Sequence, residues 1–192
     1  MSGAKSTNVL SKTHKQDLLM KSLQLFYLQP ENIKTILEIL EGDSNISLRI
    51  IDWFVTNYSK KKNTNYTIKD KNNIEKQFIV YIDYKLQLKG YSKKQFDPFC
   101  RRERINFYYN DNNFIVTTVG QLNFFRWAIS NGIIDHIKKN LKHIEQDMNK
   151  SYKAIYKIGK KAHNSRRKRQ ELSVSATRTV NKHNVKIVVA FD

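Results

Sequence analysis

The stretch 96–137, FDPFCRRERINFYYNDNNFIVTTVGQLNFFRWAISNGIIDHI, constrains the fold more than any other part of the chain. It joins a basic turn to two aromatic, β-branched runs and then to two amphipathic helical segments, and it holds the densest apolar material. Ile105 to Tyr109 and Phe114 to Val119 are separated by Asn110-Asp111-Asn112-Asn113, residues that tolerate turn conformations, so a β-hairpin is predicted. On period-two alternation Ile105, Phe107 and Tyr109 share one face and Asn106 and Tyr108 the other, one of them facing the core. Thr118 can cap a helix carrying Leu122, Phe125, Trp127 and Ile129, and Asn131-Gly132 supplies a left-handed stop before a second helix.

Two helices hinged at Asn131-Gly132 invite comparison with a helix-turn-helix, with Ala128 and Gly132 in the small-residue positions and Ile133 as the following apolar contact. The match weakens inside the second helix, where Lys138 falls on a position that should be apolar. A plain αα-hairpin with an Asn-Gly corner is the commoner arrangement.

Before this stretch the pattern is helical, then extended. Residues 1–13 are small, polar and basic and are expected to be a disordered tail. From His14 to Leu28, Leu18, Leu19, Leu23, Phe26 and Tyr27 recur near helical spacing, and Pro30 ends that run or opens the next. Glu31 to Glu41 carries Ile33, Ile36, Leu37 and Leu40 on one stripe, with Gly42 as the stop, and Ser47 caps a helix over Leu48 to Tyr58. Tyr66-Thr67-Ile68 is a short β-like piece. Gln77 to Leu88 alternates Phe78, Val80, Ile82 and Tyr84 against Ile79 and Tyr81, which predicts a long strand central in a sheet. After Gly132 an amphipathic helix is predicted through Ile133, Ile137, Leu141, Ile144 and Met148 towards Gly159, and Asn184 to Phe191 alternates like a closing strand.

The predicted fold class is α+β: N-terminal helices, a small mainly antiparallel sheet, a long amphipathic helix, a basic segment and a closing C-terminal strand. At 192 residues this is a single domain, 14–192, behind the tail. Apolar runs fall short of the roughly 20 residues a spanning helix needs, and MSGAKSTNVLSKTHK has no apolar core of a secretory signal, so membrane insertion and secretion are not expected. Cys100, the single cysteine, fits a reducing intracellular compartment and reads as a small half-buried apolar residue rather than a nucleophile.

Charge speaks to partners. Thirty-five Lys and Arg against seventeen Asp and Glu leave +18 at pH 7, a surplus that attracts polyanions and opposes self-association. Nucleic acid is the expected partner, DNA rather than RNA. A lysine excess from an AT-rich coding sequence, spread over a solvated surface, is the competing explanation. Two clusters concentrate the charge. Arg101, Arg102 and Arg104 stand beside the hairpin aromatics, where guanidinium forks can hold phosphate and rings can stack on bases. The alternative is that Asp97 and Glu103 pair with these arginines and the rings fill the core. Lys160, Lys161, Arg166, Arg167, Lys168 and Arg169 put six cations into ten residues, as a nuclear-import signal, a phosphate-binding arm or a solvated linker.

Enzymatic signatures are thin. Asp83-Tyr84-Lys85 on the predicted strand, with Asp70 and Glu75 upstream, superficially resembles the acid-x-Lys element of metal-dependent nucleases, but a three-residue pattern arises easily in a Lys-rich chain. His136 and His143, seven apart, lack a third ligand and are assigned to the surface. No cofactor is implied.

The phrases IDWFVTNYSKKKN, FDPFCRRERINFYY and TTVGQLNFFRWAI resemble an uncharacterised family of small basic proteins of large nucleocytoplasmic DNA viruses. The resemblance covers the middle half of the chain and carries no functional residues with it. It implies either a nucleic-acid-binding protein, packaged in the virion or placed in the host nucleus or a cytoplasmic viral factory, or a virion core or capsid structural protein that sets its charge against acidic virion partners.

Overall fold

A computed structural model describes residues 4–69, 73–110, 112–161 and 182–184. Its centre is the helix α6 (Val119–Ser130), in which Gly120, Gln121, Leu122, Asn123, Phe124, Phe125, Trp127 and Ala128 are all buried. A helix buried on nearly every side has to be enclosed, and its polar side chains partnered. Around it pack α1 (Ala4–Tyr27), α2 (Pro30–Glu41), α5 (Val80–Gln95) and α7 (Ile133–Lys161). Thr118 caps α6 as expected, accepting from Gln121 N at 3.1 Å. Gly132, at φ 66, ends the corner after it.

The first helices follow their sequence signals. Pro30 sits in the first turn of α2, and Gly42 closes it at φ 88. Ser47 caps α3 (Leu48–Trp53), which runs through one turn of π-helix at Phe54–Tyr58 into α4 (Ser59–Lys62). Trp53 on α3 is buried. α1 starts at Ala4.

Among the described residues there are two antiparallel sheets. β1 (Asn65–Lys69) pairs with β2 (Glu75–Ile79). β3 (Ile105–Tyr108) and β4 (Asn113–Thr117) form the predicted hairpin, with Phe107 opposite Ile115 and Tyr108 opposite Phe114. β5 (Lys182–Asn184) adds to the far side of β4 and returns the chain to the sheet. Of the predicted closing strand only Asn184 lies within the described residues.

The long strand over Gln77–Leu88 is overturned: β2 stops at Ile79, and Val80 opens α5. Phe78, Val80, Ile82 and Tyr84 do alternate, but Val80, Tyr84, Leu88 and Tyr91 also recur at helical spacing, and it is this second set that faces inward. Ile82 and Leu86, opposite, stay 54% and 59% exposed. The helix is fixed at its first turn by Trp127 Nε1, which donates to Asp83 Oδ1 at 2.6 Å.

His136, assigned to the surface from sequence, is half-buried. Its ring stacks on Tyr66 at 4.8 Å and 16° and lies 5.4 Å from Phe54, while the Tyr66 hydroxyl donates to Asn131 O at 2.9 Å. This ties the β1–β2 hairpin to the α6–α7 corner.

Two expectations follow from this packing. An Ala Cβ at Gly120 would lie 3.0 Å from Lys94 O and 3.3 Å from Phe96 N, both backbone atoms. Gly120→Ala is therefore expected to lower stability by about 1–3 kcal/mol in urea denaturation. Burial, and to a lesser degree Lys139, hold the His136 pKa below its usual value. The fold thus favours the neutral ring: its contribution is complete above the unfolded pKa of about 6.5 and is lost as pH falls through the lower folded value. His136→Phe keeps a ring in place, and its melting temperature should fall less than the wild type's between pH 7 and pH 5.

Candidate nucleic-acid interface

Arg101, Arg102 and Arg104 occupy the loop between α5 and β3, and they are not equivalent. Asp97 is buried at the start of this loop, where its N–H donates to Gly120 O at 3.2 Å. Its Oδ1 accepts from Phe99 N at 3.2 Å and from Arg101 Nη2 at 2.7 Å, and its Oδ2 accepts from Arg101 Nε at 2.9 Å. The Arg101 guanidinium also lies over the Phe99 ring at 4.9 Å. A fork held on both prongs by a buried carboxylate is a structural pair, and that carboxylate raises the Arg101 pKa. Arg102 and Arg104 are exposed. Arg104 stands beside Cys100, whose thiol pKa is pushed up by burial and partly offset by that arginine.

The hairpin aromatics divide in the same way. Phe107 is in the core, its ring edge-on to Tyr27 at 5.6 Å. Tyr108 is 56% exposed. The outward alternation Asn106, Tyr108 continues backwards to Arg104, just ahead of the strand.

Lys160 and Lys161 form the last turn of α7. Arg166, Arg167, Lys168 and Arg169 lie outside the described residues. The helix that leads to them carries a basic face less visible in the sequence. Ile133, Ile134, Ile137, Ile144 and Met148 are buried, and Lys138, Lys139, Lys142, Lys150 and Lys153 are exposed. α7 bends at Asn140, whose φ of −114 and ψ of 15 are not helical, and at about 1.5 Å per residue the exposed lysines from Lys138 to Lys153 span roughly 22 Å. Spaced along a helix, these lysines do not form a run. They are found only by taking the face opposite the apolar stripe.

Lys60, Lys61 and Lys62 extend that face. Asp147 of α7 accepts from Trp53 Nε1 at 3.2 Å and from Lys61 Nζ, which holds α4 against α7. His143 and Lys150 are one turn away from Asp147 on either side, so the α4 lysines sit alongside them. A cavity of about 450 Å³ between α2 and the hairpin end carries more acid than base, its lining including Lys34, Glu38, Glu41 and Asp43.

Asp83 lies on a helix and not on a strand, and its Oδ1 accepts from both Trp127 and Gln87. Among the described residues no group of three His, Cys, Asp or Glu could hold a metal ion, and no helix is long and apolar enough to cross a membrane.

The three loop arginines should separate on mutation. Arg101→Ala strands the Asp97 carboxylate and is expected to cost about 2 kcal/mol in denaturant unfolding. Arg102→Ala should change stability by less than about 0.5 kcal/mol.

A family profile described as "Family of unknown function (DUF7197)" matches residues 3–192. The chain is also 44% identical over 159 residues to "Uncharacterized protein L507" of Acanthamoeba polyphaga mimivirus, an alignment that covers 77% of this chain and 61% of the relative. The chain thus spans about three-fifths of the length of that relative. No solved structure matches it. The viral resemblance read from the three phrases is supported by this relative, and the chain belongs to the Family of unknown function (DUF7197).

Proposed function

We propose that this protein is a non-enzymatic nucleic-acid-binding protein that holds DNA, in preference to RNA, through its phosphates. One observation carries the reading: the exposed face of α7 presents Lys138, Lys139, Lys142, Lys150 and Lys153 over roughly 22 Å, across the bend at Asn140, and the sequence goes on to Lys160, Lys161 and the run Arg166 to Arg169. Arg102 and Arg104 add a second contact region at the hairpin, and Arg101 positions their loop through Asp97. The lysines of this solvated face outnumber its acids, Asp135 and Glu145, and act on a polyanion mainly by releasing its counterions, which gives binding with little sequence preference. A place in the host nucleus, a cytoplasmic viral factory or the virion agrees with this reading.

A virion core or capsid structural role with acidic partners is the second reading. Exposed apolar residues support it: Leu18 and Leu25 on α1, and Ile82 and Leu86 on α5. Faces of this kind are common at protein interfaces.

The test is affinity against salt for a labelled 20-base-pair DNA duplex, comparing the wild type, a variant with Lys138, Lys142, Lys150 and Lys153 changed to Ala, and one with Arg166, Arg167, Lys168 and Arg169 changed to Ala. Each phosphate contact contributes roughly −0.9 to the slope of log K against log salt, so losing four should flatten it by roughly 3.6. Absence of duplex binding by the wild type at 50 mM salt would overturn the reading. Oligomers that persist at high salt would then favour the structural role.

A further inference from the structure

We infer that the outer face of the β3–β4 hairpin is a subsite for a single-stranded polynucleotide, with Tyr108 as the ring on which a base stacks and Arg104 as its phosphate contact; this rests on the nucleic-acid reading above. Three observations meet there. The inner face of β3 is committed to the core: Phe107 is buried against Tyr27, and Ile105 and Tyr109 are half-buried beside it. The outer face presents Asn106 and Tyr108 to solvent, in line with the exposed Arg104 immediately before the strand. Side chains two apart on a strand point the same way and are about 6.6 Å apart, so guanidinium, amide and phenol form one row roughly 13 Å long. Phe114, opposite Tyr108 on β4, is itself buried and lies 5.2 Å from the tyrosine ring at 44°. Of these two rings on the same face, that of Tyr108 is the one that reaches solvent, at 56% exposure.

The chemistry selects the occupant. An exposed ring beside a cation, on a protein of net charge +18, favours an anion that also carries flat apolar surfaces. In a duplex the base faces are already stacked on one another. In a single strand they are available, and each base–aromatic stack contributes enough to change affinity between about five- and one-hundred-fold. The Asn106 amide, between the two, can bond a base edge. Single-stranded DNA and single-stranded RNA offer the same stacking and phosphate chemistry, and both belong in the test.

The experiment measures affinities of the full chain for a 12-nucleotide single-stranded DNA, the same RNA sequence and a 20-base-pair duplex at one moderate salt concentration. Tyr108→Ala is expected to weaken both single strands about tenfold and to leave the duplex within twofold of wild type. Tyr108→Phe, which keeps the ring, should bind all three like wild type. Tyr108→Trp supplies a second readout, since its fluorescence should be quenched by the single strands and not by the duplex. That variant decides the matter if Tyr108→Ala proves unstable on melting. Equal weakening of duplex and single strands, or unchanged single-strand binding by Tyr108→Ala together with an unquenched Tyr108→Trp, would overturn the subsite while leaving phosphate binding intact. A wild type that binds none of the three would overturn both.

Discussion

The enclosure of α6 is the constraint on which the other elements depend. Its apolar side chains require cover on all sides, and its polar ones require partners in places water does not reach. Each is met by a different part of the chain. Gln121 donates to Pro98 O and accepts from Thr117, Asn123 donates to Gln95 O, and Leu122 O accepts from the Tyr27 hydroxyl. Arg126, at the edge, reaches Ser22 of α1 and Tyr91 of α5. Losing any one of these elements would leave a buried polar group of α6 unsatisfied as well as an apolar face exposed, so helix and surroundings hold together as one cooperative unit.

The same arrangement sorts the positive charge. With the centre filled by an apolar helix, cations are sent outward, and the Arg101 guanidinium, itself at the surface, is tied down by the buried Asp97 carboxylate. The loop Gln95–Phe99 is clamped from inside by α6 and latched by Asp97, which presents Arg102 and Arg104 from a rigid base. The lysines of α7 are arranged differently: they stand on either side of the bend at Asn140, on a helix whose inner side is anchored by Ile133, Ile137, Ile144 and Met148.

Much of the fold was legible where local signals agreed with one another. The hairpin, the Thr118 and Ser47 caps and the glycine stops at 42 and 132 all combine a residue with a special backbone preference and a change of apolar period. The reading failed at Gln77–Leu88 because β-branched and aromatic residues there satisfy two periods at once, and the choice was made by Trp127, more than forty residues away, through Asp83. His136 was misplaced for a similar reason: nothing local announces that Tyr66 and Phe54 will come to its ring. In the candidate site, compact clusters such as Arg101–Arg104 stand out in sequence, but which of those arginines is occupied depends on the burial of Asp97. Dispersed lysines become a surface only once the helix and its inner face are known.

The π-turn at Phe54–Tyr58 has a consequence for how this chain can vary in length. Ser59 N–H reaches back five residues to Phe54 O, where an ordinary helical turn reaches back four. The turn therefore holds one residue more than a regular helix would. Each residue advances an α-helix by about 100°, and the wide turn absorbs the extra one, so removing a single residue here would regularise the turn and leave the segment after it in phase, with Lys61 still facing Asp147. The same deletion in a regular part of the helix would turn the basic α4 segment by about a quarter of a revolution away from α7. In relatives of this protein a one-residue deletion should therefore be better tolerated at this turn than elsewhere in the helix.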